Sequence, residues 1–178
     1  MNRALLVTCS LVISFALAGC SRTTSPVAKV TPPSAPSPAP GISSSADIVK
    51  VPSIAASIAA GGNVDATVTL SISTGFHVNA NPATFSYLIP TEVNTGTIAG
   101  ITAGRPVYPV PVKRKFQFAN QPLAVYEGDA QIRLPLRAEK NAAKGVRSLP
   151  VYVRVQACDH EQCFPPATLT TTMALEVK

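Results

Sequence analysis

The stretch LPVYVRVQACDHEQCFPP, residues 149–166, indicates both the fold of this chain and its chemistry. Its first half alternates apolar and polar residues, which is the period of a β-strand with one buried face. One face holds Leu149, Val151, Val153 and Val155, and the other holds Tyr152, Arg154 and Gln156. Cys158 comes at the end of this strand, and the prolines after Cys163 prevent further ladder pairing. Both cysteines are therefore predicted at a strand end and on a loop, where their thiols are reachable.

The same alternation recurs along most of the chain and predicts an all-β domain. Candidate strands are residues 48–58, 64–72, 86–89, 107–112, 125–126, 131–136, 149–155 and 169–177. Seven or eight short strands with frequent turns are typical of an antiparallel β-sandwich of the immunoglobulin-like type. The chain has no tryptophan, so the prediction concerns the architecture of that class alone. Residues 136–145 are a mixed stretch that could form a single helical turn.

Residues 1–19 have the features of a lipoprotein signal peptide. Arg3 supplies a positive charge, residues 4–17 form an apolar run, and Leu17-Ala18-Gly19-Cys20 resembles the bacterial lipobox. The apolar run is too short for a stable membrane span. We expect cleavage before Cys20 and lipidation of that cysteine. The alternative is an ordinary signal peptide in which Cys20 carries no lipid.

Residues 20–46 form a predicted linker that joins the lipid anchor to one folded domain, residues 47–178. The linker is rich in proline and serine, so it cannot bury a core and favours extended polyproline II conformations. The net charge of +6 becomes +5 when Arg3 leaves with the signal peptide, and it suits acidic protein surfaces or anionic lipid headgroups. Nucleic acid is not an expected partner, because the protein is exported and its basic residues are mostly scattered. No hydrolase triad or phosphate-binding loop is recognisable.

The cysteine count leaves one pair for redox chemistry. Of the four cysteines, Cys9 leaves with the signal peptide and Cys20 carries lipid, so Cys158 and Cys163 can pair only with each other. Export makes a disulfide their resting state. In the chain-entropy model, a ring of about six residues stabilises a fold by only about 2 kcal/mol, against about 5 kcal/mol for a ring of about a hundred. The short ring therefore favours exchange chemistry over stapling.

Two other interpretations of the cysteine pair stay open. The disulfide could be a structural lock of its own loop. Alternatively, Cys158, His160 and Cys163 could bind zinc together with His77, the only other histidine. The spacing is not that of a zinc finger, and exported thiols would have to stay reduced. We therefore expect no metal and no other cofactor.

Four segments of the chain, in this order, resemble one family. They are residues 75–82 (GFHVNANP), 88–91 (LIPT), 125–128 (VYEG) and 156–166 (QACDHEQCFPP), of which the last is the most specific. Together they resemble the N-terminal periplasmic domain of the thiol:disulfide interchange protein DsbD, over nearly the whole folded domain. The resemblance implies an immunoglobulin-like sandwich whose cysteine pair takes electrons from a thioredoxin-like domain of the same protein. The pair then passes them to periplasmic partners, such as a disulfide isomerase and a cytochrome c maturation thioredoxin.

Two features depart from that family. The cysteine spacing differs by about one residue from that of the best-known member. The chain also ends where the family's membrane domain would begin. We therefore expect a stand-alone lipoprotein. Its electron donor would be another polypeptide, or the domain has been recruited to a different task.

The resemblance also implies a cover over the disulfide. The family shields its cysteines with a loop that carries aromatic side chains, and the matching stretch is residues 112–120 with Phe116 and Phe118. The alternative is that both rings belong to the core of a hairpin. The basic run 113–115 in this loop could lower a nearby thiol pKa, or it could simply be solvated.

Further site residues follow from the same resemblance. His77 and Asn79 match polar side chains that the family places beside the cysteines, although His77 could equally be a surface histidine. The family's second cysteine forms the mixed disulfide with partners, which assigns that part to Cys163. Phe164 and the two prolines after it would provide a rigid apolar surface on which a partner docks.

The expected function is periplasmic thiol–disulfide exchange, of the protein-disulfide reductase type if the domain is an enzyme. Expected partners are thioredoxin-like periplasmic proteins or a separate membrane electron carrier, and the membrane itself through lipid on Cys20. Ser21 stands where an aspartate would retain a lipoprotein in the inner membrane, which favours the outer membrane. The competing interpretation is a non-enzymatic sandwich that binds or scaffolds in the envelope, with Cys158–Cys163 as a loop lock.

Overall fold

Twelve strands and one short helix make up residues 41–178, the part of the chain that the computed structural model describes. In chain order these are α1 (Ser45–Ile48), β1 (Val49–Lys50), β2 (Ile54–Ile58), β3 (Asn63–Ile72), β4 (His77–Asn79), β5 (Glu92–Thr95), β6 (Ile101–Ala103), β7 (Val112–Arg114), β8 (Leu123–Tyr126), β9 (Asp129–Ala138), β10 (Gly145–Val155), β11 (Ala157–Cys158) and β12 (Ala167–Val177). The predicted signal peptide, the lipidation site Cys20 and most of the predicted linker lie outside the described residues. Between residues 41 and 178, no helix is long and apolar enough to cross a membrane.

The strands form three four-stranded sheets. Their orders are β1-β3-β9-β6, β2-β12-β10-β5 and β11-β4-β8-β7. All pairs are antiparallel except β2 with β12, which run parallel. The predicted all-β fold, an immunoglobulin-like sandwich of antiparallel sheets, is thereby confirmed, with one parallel pair added at an edge.

Four long strands build the main core, with β3 and β9 in one sheet and β10 and β12 in another. Their buried positions alternate with exposed ones, because successive side chains of a strand point to opposite faces. Deeply buried side chains of these strands include Val68, Leu70, Ile132, Leu134, Val151, Val153, Val155, Met173 and Leu175. Burial of each stabilises the fold by about 1.5 to 3 kcal/mol, and this core carries the smaller sheet that holds the cysteines.

The short elements predicted from the sequence agree less well with the structure than the long strands do. Residues 48–58 do not form one strand, because β1 and β2 are separate and Pro52 lies between them. Residues 86–89 form a turn, closed by a hydrogen bond from Leu88 N to Phe85 O. In 107–112, Val107 makes a single bridge and a strand begins only at the last residue. The helical turn expected within 136–145 is absent from the described structure, since β9 continues to Ala138 and a tight turn leads into β10.

The start of α1 ties the N-terminal end of the domain to both sides of the cysteine segment. The hydroxyl of Ser45 accepts a hydrogen bond from Ala157 N and donates one to Pro165 O, each at 2.8 Å. The backbone N–H of Ser45 also donates to Pro165 O, at 2.9 Å. Ser45 is fully buried, although the sequence analysis placed it in the linker. The residues just before Cys158 and just after Cys163 are therefore held by the same side chain.

We predict that Ser45→Ala lowers the free energy of unfolding by about 1 to 3 kcal/mol, because it leaves the buried N–H of Ala157 without an acceptor. Denaturant unfolding of the variant and of the unaltered chain measures this difference. Ser53→Ala is the matched control, since Ser53 is exposed and should change stability by less than about 0.5 kcal/mol. Equal stability of the two variants would show that Ser45 does not hold the cysteine segment.

Candidate functional site

The two cysteines close a tight hairpin at the end of β11. Cys158 and Cys163 form a disulfide with an S–S distance of 2.00 Å and pair with each other as an isolated antiparallel bridge. Phe164 N donates to Ala157 O at 2.8 Å, and Asp159 N donates to Gln162 O at 2.9 Å. The hairpin therefore has its own backbone hydrogen bonds on both sides of the disulfide.

Asp159 organises the turn between the cysteines. Its Oδ1 atom accepts hydrogen bonds from the backbone N–H groups of Glu161 and Gln162, both at 2.8 Å. An aspartate that bonds the backbone two residues ahead is a common way to stabilise a turn that has no glycine. The same bonds, that from Gln162 first, lower the pKa of Asp159 below its usual value. Its carboxylate is thus committed to the backbone of the turn.

The two sulfur-bearing residues differ in exposure. Cys158 is completely buried, whereas Cys163 is only partly buried. Thiol–disulfide exchange requires a nucleophile to reach one particular sulfur, so access decides which cysteine a partner meets. The hairpin therefore encloses Cys158 and leaves Cys163 partly accessible to solvent.

His77 and Asn79 lie beside the disulfide, on the strand next to Cys158. In the β4–β11 pair, Cys158 stands directly opposite His77, and Ala157 stands opposite Val78. His77 is 2% exposed and Asn79 is 1% exposed, so the interpretation of His77 as a surface histidine is wrong. Both polar residues and Cys158 occupy the same face of this small sheet, because directly paired and alternate residues of strands share a face.

A row of aromatic rings covers that face. The ring of Phe116 stacks on His77 with centroids 3.9 Å apart and planes at 15°. Phe118 stacks on the outer side at 5.4 Å, and His160 in the hairpin turn meets the edge of Phe116 at 6.1 Å. Phe116 is 7% exposed and Phe118 is 40% exposed. Phe116 thus bridges the strand opposite Cys158 and the turn that joins the two cysteines.

Phe116 also belongs to a second, smaller hydrophobic cluster. This cluster consists of Phe116, Ala119, Leu123 and Val125, with Phe85 and Leu88 packed against it. Only the start of the predicted cover, residues 112–114, is a strand, and the rest is the loop that enters β8. Phe116 is therefore part of a core, as one of the two interpretations expected, whereas Phe118 lies outside this core.

The basic run in this loop is tied to groups other than the cysteines. Arg114 makes a bidentate pair with Glu127, in which Nε donates to Oε1 and Nη2 donates to Oε2, both at 2.9 Å. This bond lowers the pKa of Glu127. The amino group of Lys115 donates to the carbonyl oxygen of Ala119. Two of the three cations thus stabilise the loop itself, in line with the solvated-loop interpretation.

A cleft of about 550 Å³ opens next to the covered disulfide. Its lining combines the β3–β4 turn with His77, Phe116, Glu127 and His160. Burial lowers the pKa of His77 to about 4, although the carboxylates of Glu127 and Asp159 favour its protonation. His77 is therefore a neutral imidazole at the wall of this cleft around neutral pH.

Phe164 packs inward rather than outward. Its ring is partly buried against the main core and meets Phe76 edge-on, with centroids 5.9 Å apart. Pro165 and Pro166 are exposed. Of the surface expected beside Cys163, the prolines are therefore exposed, whereas Phe164 is partly buried.

The donors of the alternative zinc site do not meet. Both sulfurs belong to the disulfide, and each histidine packs on Phe116, His77 stacked on its ring and His160 edge-on. Among residues 41–178, no group of three histidine, cysteine or acidic side chains is placed to hold a metal ion.

Several residues of the site escaped the sequence analysis. Ser45 holds the hairpin, Glu127 orders the loop through Arg114, and Phe85 and Leu88 support Phe116. Their partners are far away in the sequence, so no local pattern could have indicated them. The acid in the VYEG segment was noticed only as part of the family resemblance.

Comparisons with known proteins connect this site to one family. The model of the family described as "Thiol:disulfide interchange protein DsbD, N-terminal" matches residues 45–175. No curated protein matches the chain in sequence.

Three solved structures have a related fold at low identity. The DsbD N-terminal domain of Neisseria meningitidis in its reduced form is 15% identical, with coverage of 74% of this chain and 88% of that one and a TM-score of 0.47. The N-terminal periplasmic domain of ScsB from Proteus mirabilis is 10% identical, with coverage of 71% and 44% and a TM-score of 0.48. A complex between the DsbD and PilB N-terminal domains of Neisseria meningitidis is 15% identical, with coverage of 61% and 73% and a TM-score of 0.41.

These structural likenesses are too distant to support conclusions about this chain, whereas the family model covers its whole described fold apart from a few terminal residues. The match includes both cysteines and every residue of the covered site, and it confirms the resemblance found in the sequence. The chain belongs to the family of the N-terminal domain of the thiol:disulfide interchange protein DsbD.

Proposed function

We propose that this domain exchanges thiols and disulfides with protein partners in the periplasm through Cys158 and Cys163. The observation that carries this proposal is the unequal burial of a disulfide on an ordered hairpin, with Cys163 accessible and Cys158 enclosed. Two-step exchange needs one sulfur that a partner can reach and a second that is protected until it is needed. Membership of the DsbD N-terminal family supports the same chemistry.

The reaction runs through a mixed disulfide. In the reduced domain, the thiolate of Cys163 attacks a disulfide of the partner, and one partner sulfur leaves as a thiolate. The thiolate of Cys158 then attacks the sulfur of Cys163, so the Cys158–Cys163 bond forms and the bond to the partner breaks. Two electrons have then passed to the partner, which leaves as a dithiol once its thiolates are protonated. The reverse sequence reduces the domain, and the relative reduction potentials decide the direction.

The hairpin does not depend on its disulfide for its shape, which argues against a purely structural lock. Its two arms are held by the hydrogen bonds of Ser45 to Ala157 and Pro165 and by the bond from Phe164 N to Ala157 O. A short ring adds only about 2 kcal/mol to such a structure. The conformation can therefore persist when the bond is reduced, as repeated exchange requires.

Phe116 is proposed to gate the disulfide. It stacks on His77 opposite Cys158 and touches the turn between the cysteines, so its ring shields the pair from passing small thiols. A partner that displaces this ring gains access that other thiols lack, which provides selectivity. The exposed ring of Phe118 on its outer side offers such a partner its first contact.

The proposed partners are thioredoxin-like periplasmic proteins, or a separate membrane electron carrier that supplies electrons. The positive charge of the chain and the exposed basic loop favour partners with acidic surfaces. A lipid on Cys20 would hold the domain at a membrane by way of the proline-rich linker, and Ser21 favours the outer membrane. Anchoring would confine exchange to partners in the same compartment.

We predict that Cys158→Ser traps a covalent complex with periplasmic partners, whereas Cys163→Ser traps much less. Cys163 can form the mixed disulfide, and without Cys158 nothing resolves it. Non-reducing electrophoresis of cell extracts, followed by reduction of the trapped bands, measures the yield. The reverse pattern would exchange the roles of the two cysteines. Absence of trapping in both variants, together with a reduction potential below about −300 mV, would instead identify a structural lock.

A second expectation is that Phe116→Ala accelerates reduction of the disulfide by dithiothreitol by about tenfold or more, because it removes the ring that covers the pair. The reduction rate is measured beside thermal stability. Phe85→Ala is the matched control, since it removes a ring from the same cluster that is not stacked on His77. Both variants should lose up to about 3 to 5 kcal/mol of stability. An unaltered reduction rate in Phe116→Ala, or equal acceleration in both variants, would contradict the gate.

Cys20→Ser should release the protein from the membrane fraction, because no acyl chain can be attached to serine. Ser21→Asp should keep the anchor but move the protein from the outer to the inner membrane. Separation of the two membranes and immunoblotting report both outcomes. Membrane association that survives Cys20→Ser would disprove the lipid anchor without touching the proposed redox chemistry.

A further inference from the structure

Two buried polar atoms in the described part of the chain have no hydrogen-bond partner, and both lie on β4. They are Nε2 of His77 and Oδ1 of Asn79. Buried polar groups are nearly always paired, so an unpaired one needs an explanation, and a role in redox or catalytic chemistry is one of the few accepted. The amide nitrogen of Asn79 is used, since it donates to Ile89 O at 3.0 Å. The unpaired atoms thus occur at one place, the strand beside the disulfide.

His77 is the direct cross-strand partner of Cys158. The β4–β11 register sets these two residues opposite each other, and Cβ atoms of such pairs lie roughly 5 Å apart. The ring of Phe116 closes the imidazole from the other side, at a centroid distance of 3.9 Å. His77 and Cys158 are 2% and 0% exposed. The imidazole and Cys158 are therefore both enclosed, at paired positions of neighbouring strands.

The exchange reaction needs a base near Cys158. Resolution of the mixed disulfide requires Cys158 as a thiolate, but burial in apolar surroundings raises the pKa of a thiol. Cys158 is fully buried in the folded domain, so a nearby side chain is the most direct acceptor for its proton. The nearby acids already have strong partners, because Asp159 accepts from its own turn and Glu127 binds Arg114. His160 is exposed, on the far edge of Phe116.

We propose that Nε2 of His77 accepts the thiol proton of Cys158 in the step that resolves the mixed disulfide. This inference rests on the exchange reaction proposed above and assigns one proton transfer within it. The S–H bond of Cys158 breaks, its proton moves to Nε2, and the electron pair left on sulfur attacks Cys163. The Cys158–Cys163 bond forms, and the partner leaves as a thiolate. The imidazolium then returns its proton to that thiolate or to solvent.

The surroundings of His77 act on this transfer in two directions. With its proton on Nδ1, a neutral imidazole presents a free lone pair at Nε2. Burial lowers the pKa of His77 to about 4 in the disulfide form, which keeps the imidazole unprotonated but also makes it a weaker base. Glu127 after β8 and Asp159 in the turn favour the imidazolium once it forms, whereas His160 opposes it.

The test follows the two steps separately. The full chain with Cys9→Ser and Cys20→Ser, in which Cys158 and Cys163 are the only thiols, is reduced and mixed with dithiobis(nitrobenzoate). This aromatic disulfide releases one coloured thiolate when Cys163 attacks it and a second when Cys158 resolves the adduct. Stopped-flow absorbance resolves the two phases, and Cys158→Ser identifies the second phase by abolishing it.

His77→Gln should slow the second phase by at least about tenfold near neutral pH and change the first phase less than about twofold. Glutamine keeps a polar side chain of similar length but has no basic nitrogen. In the unaltered protein the second phase should vary little with pH around neutrality, because His77 is already deprotonated there. In His77→Gln it should rise with pH as hydroxide replaces the lost base, until the two proteins converge.

Two controls separate this role from a structural one. His160→Gln removes the only other histidine, which is exposed, and should leave both phases unchanged. His77→Phe keeps an aromatic ring against Phe116 and should show the same slow second phase as His77→Gln. Equal second-phase rates in the unaltered protein and both His77 variants would overturn the proton transfer. A parallel slowing of both phases with an unchanged pH profile would overturn it as well.

Failure of this inference is distinguishable from failure of the exchange function. If the domain does not exchange disulfides with proteins, Cys158→Ser traps no partner in cells. If the domain exchanges disulfides without help from His77, Cys158→Ser still traps partners in cells, and neither His77 variant changes the rate of the second phase.

Discussion

The pairing of the two-residue strand β11 with β4 is the constraint on which the site depends. This register buries Cys158, sets His77 opposite it and leaves Cys163 at the outer end of the hairpin. A strand of two residues cannot maintain such a position by its own ladder bonds. Ser45 stabilises it from outside, because its hydroxyl bonds the chain on both sides of the cysteines. The geometry of the redox pair is therefore supported by a residue more than a hundred positions away.

The domain divides its hydrophobic residues between two clusters with different tasks. The main cluster joins the long strands and provides most of the stability. The smaller cluster lies under the loop that carries Phe116. It holds the ring of Phe116 against His77 on β4, the strand beside the disulfide. The small cluster buries few side chains, so it contributes less to the stability of the domain than the main cluster does.

Desolvation gives the inner half of the site its chemical character. Cys158 and His77 are both buried away from water. Burial keeps the imidazole of His77 neutral, and its Nε2 atom has no hydrogen-bond partner. The outer half is wet and charged, with Asp159 and the Arg114–Glu127 pair ordering the loops that meet there. One sulfur faces each environment, so the same disulfide presents an accessible atom to a partner and a protected one to the protein interior.

The long strands, the cysteine pair and the family could all be predicted from the sequence, because period-two alternation and short motifs are local properties of the chain. Residues 86–89 were mistaken for a strand, since Leu88 packs on the small cluster from a turn. Nothing local marked Ser45, and its burial follows from partners at Ala157 and Pro165. The burial of His77 was equally invisible, because a histidine is enclosed only when a distant ring, here Phe116, packs on it. The sequence by itself determined which side chains carry the chemistry; the tertiary structure decided which of them meet and which are shielded from water, since contacts between remote residues form only when the chain has folded.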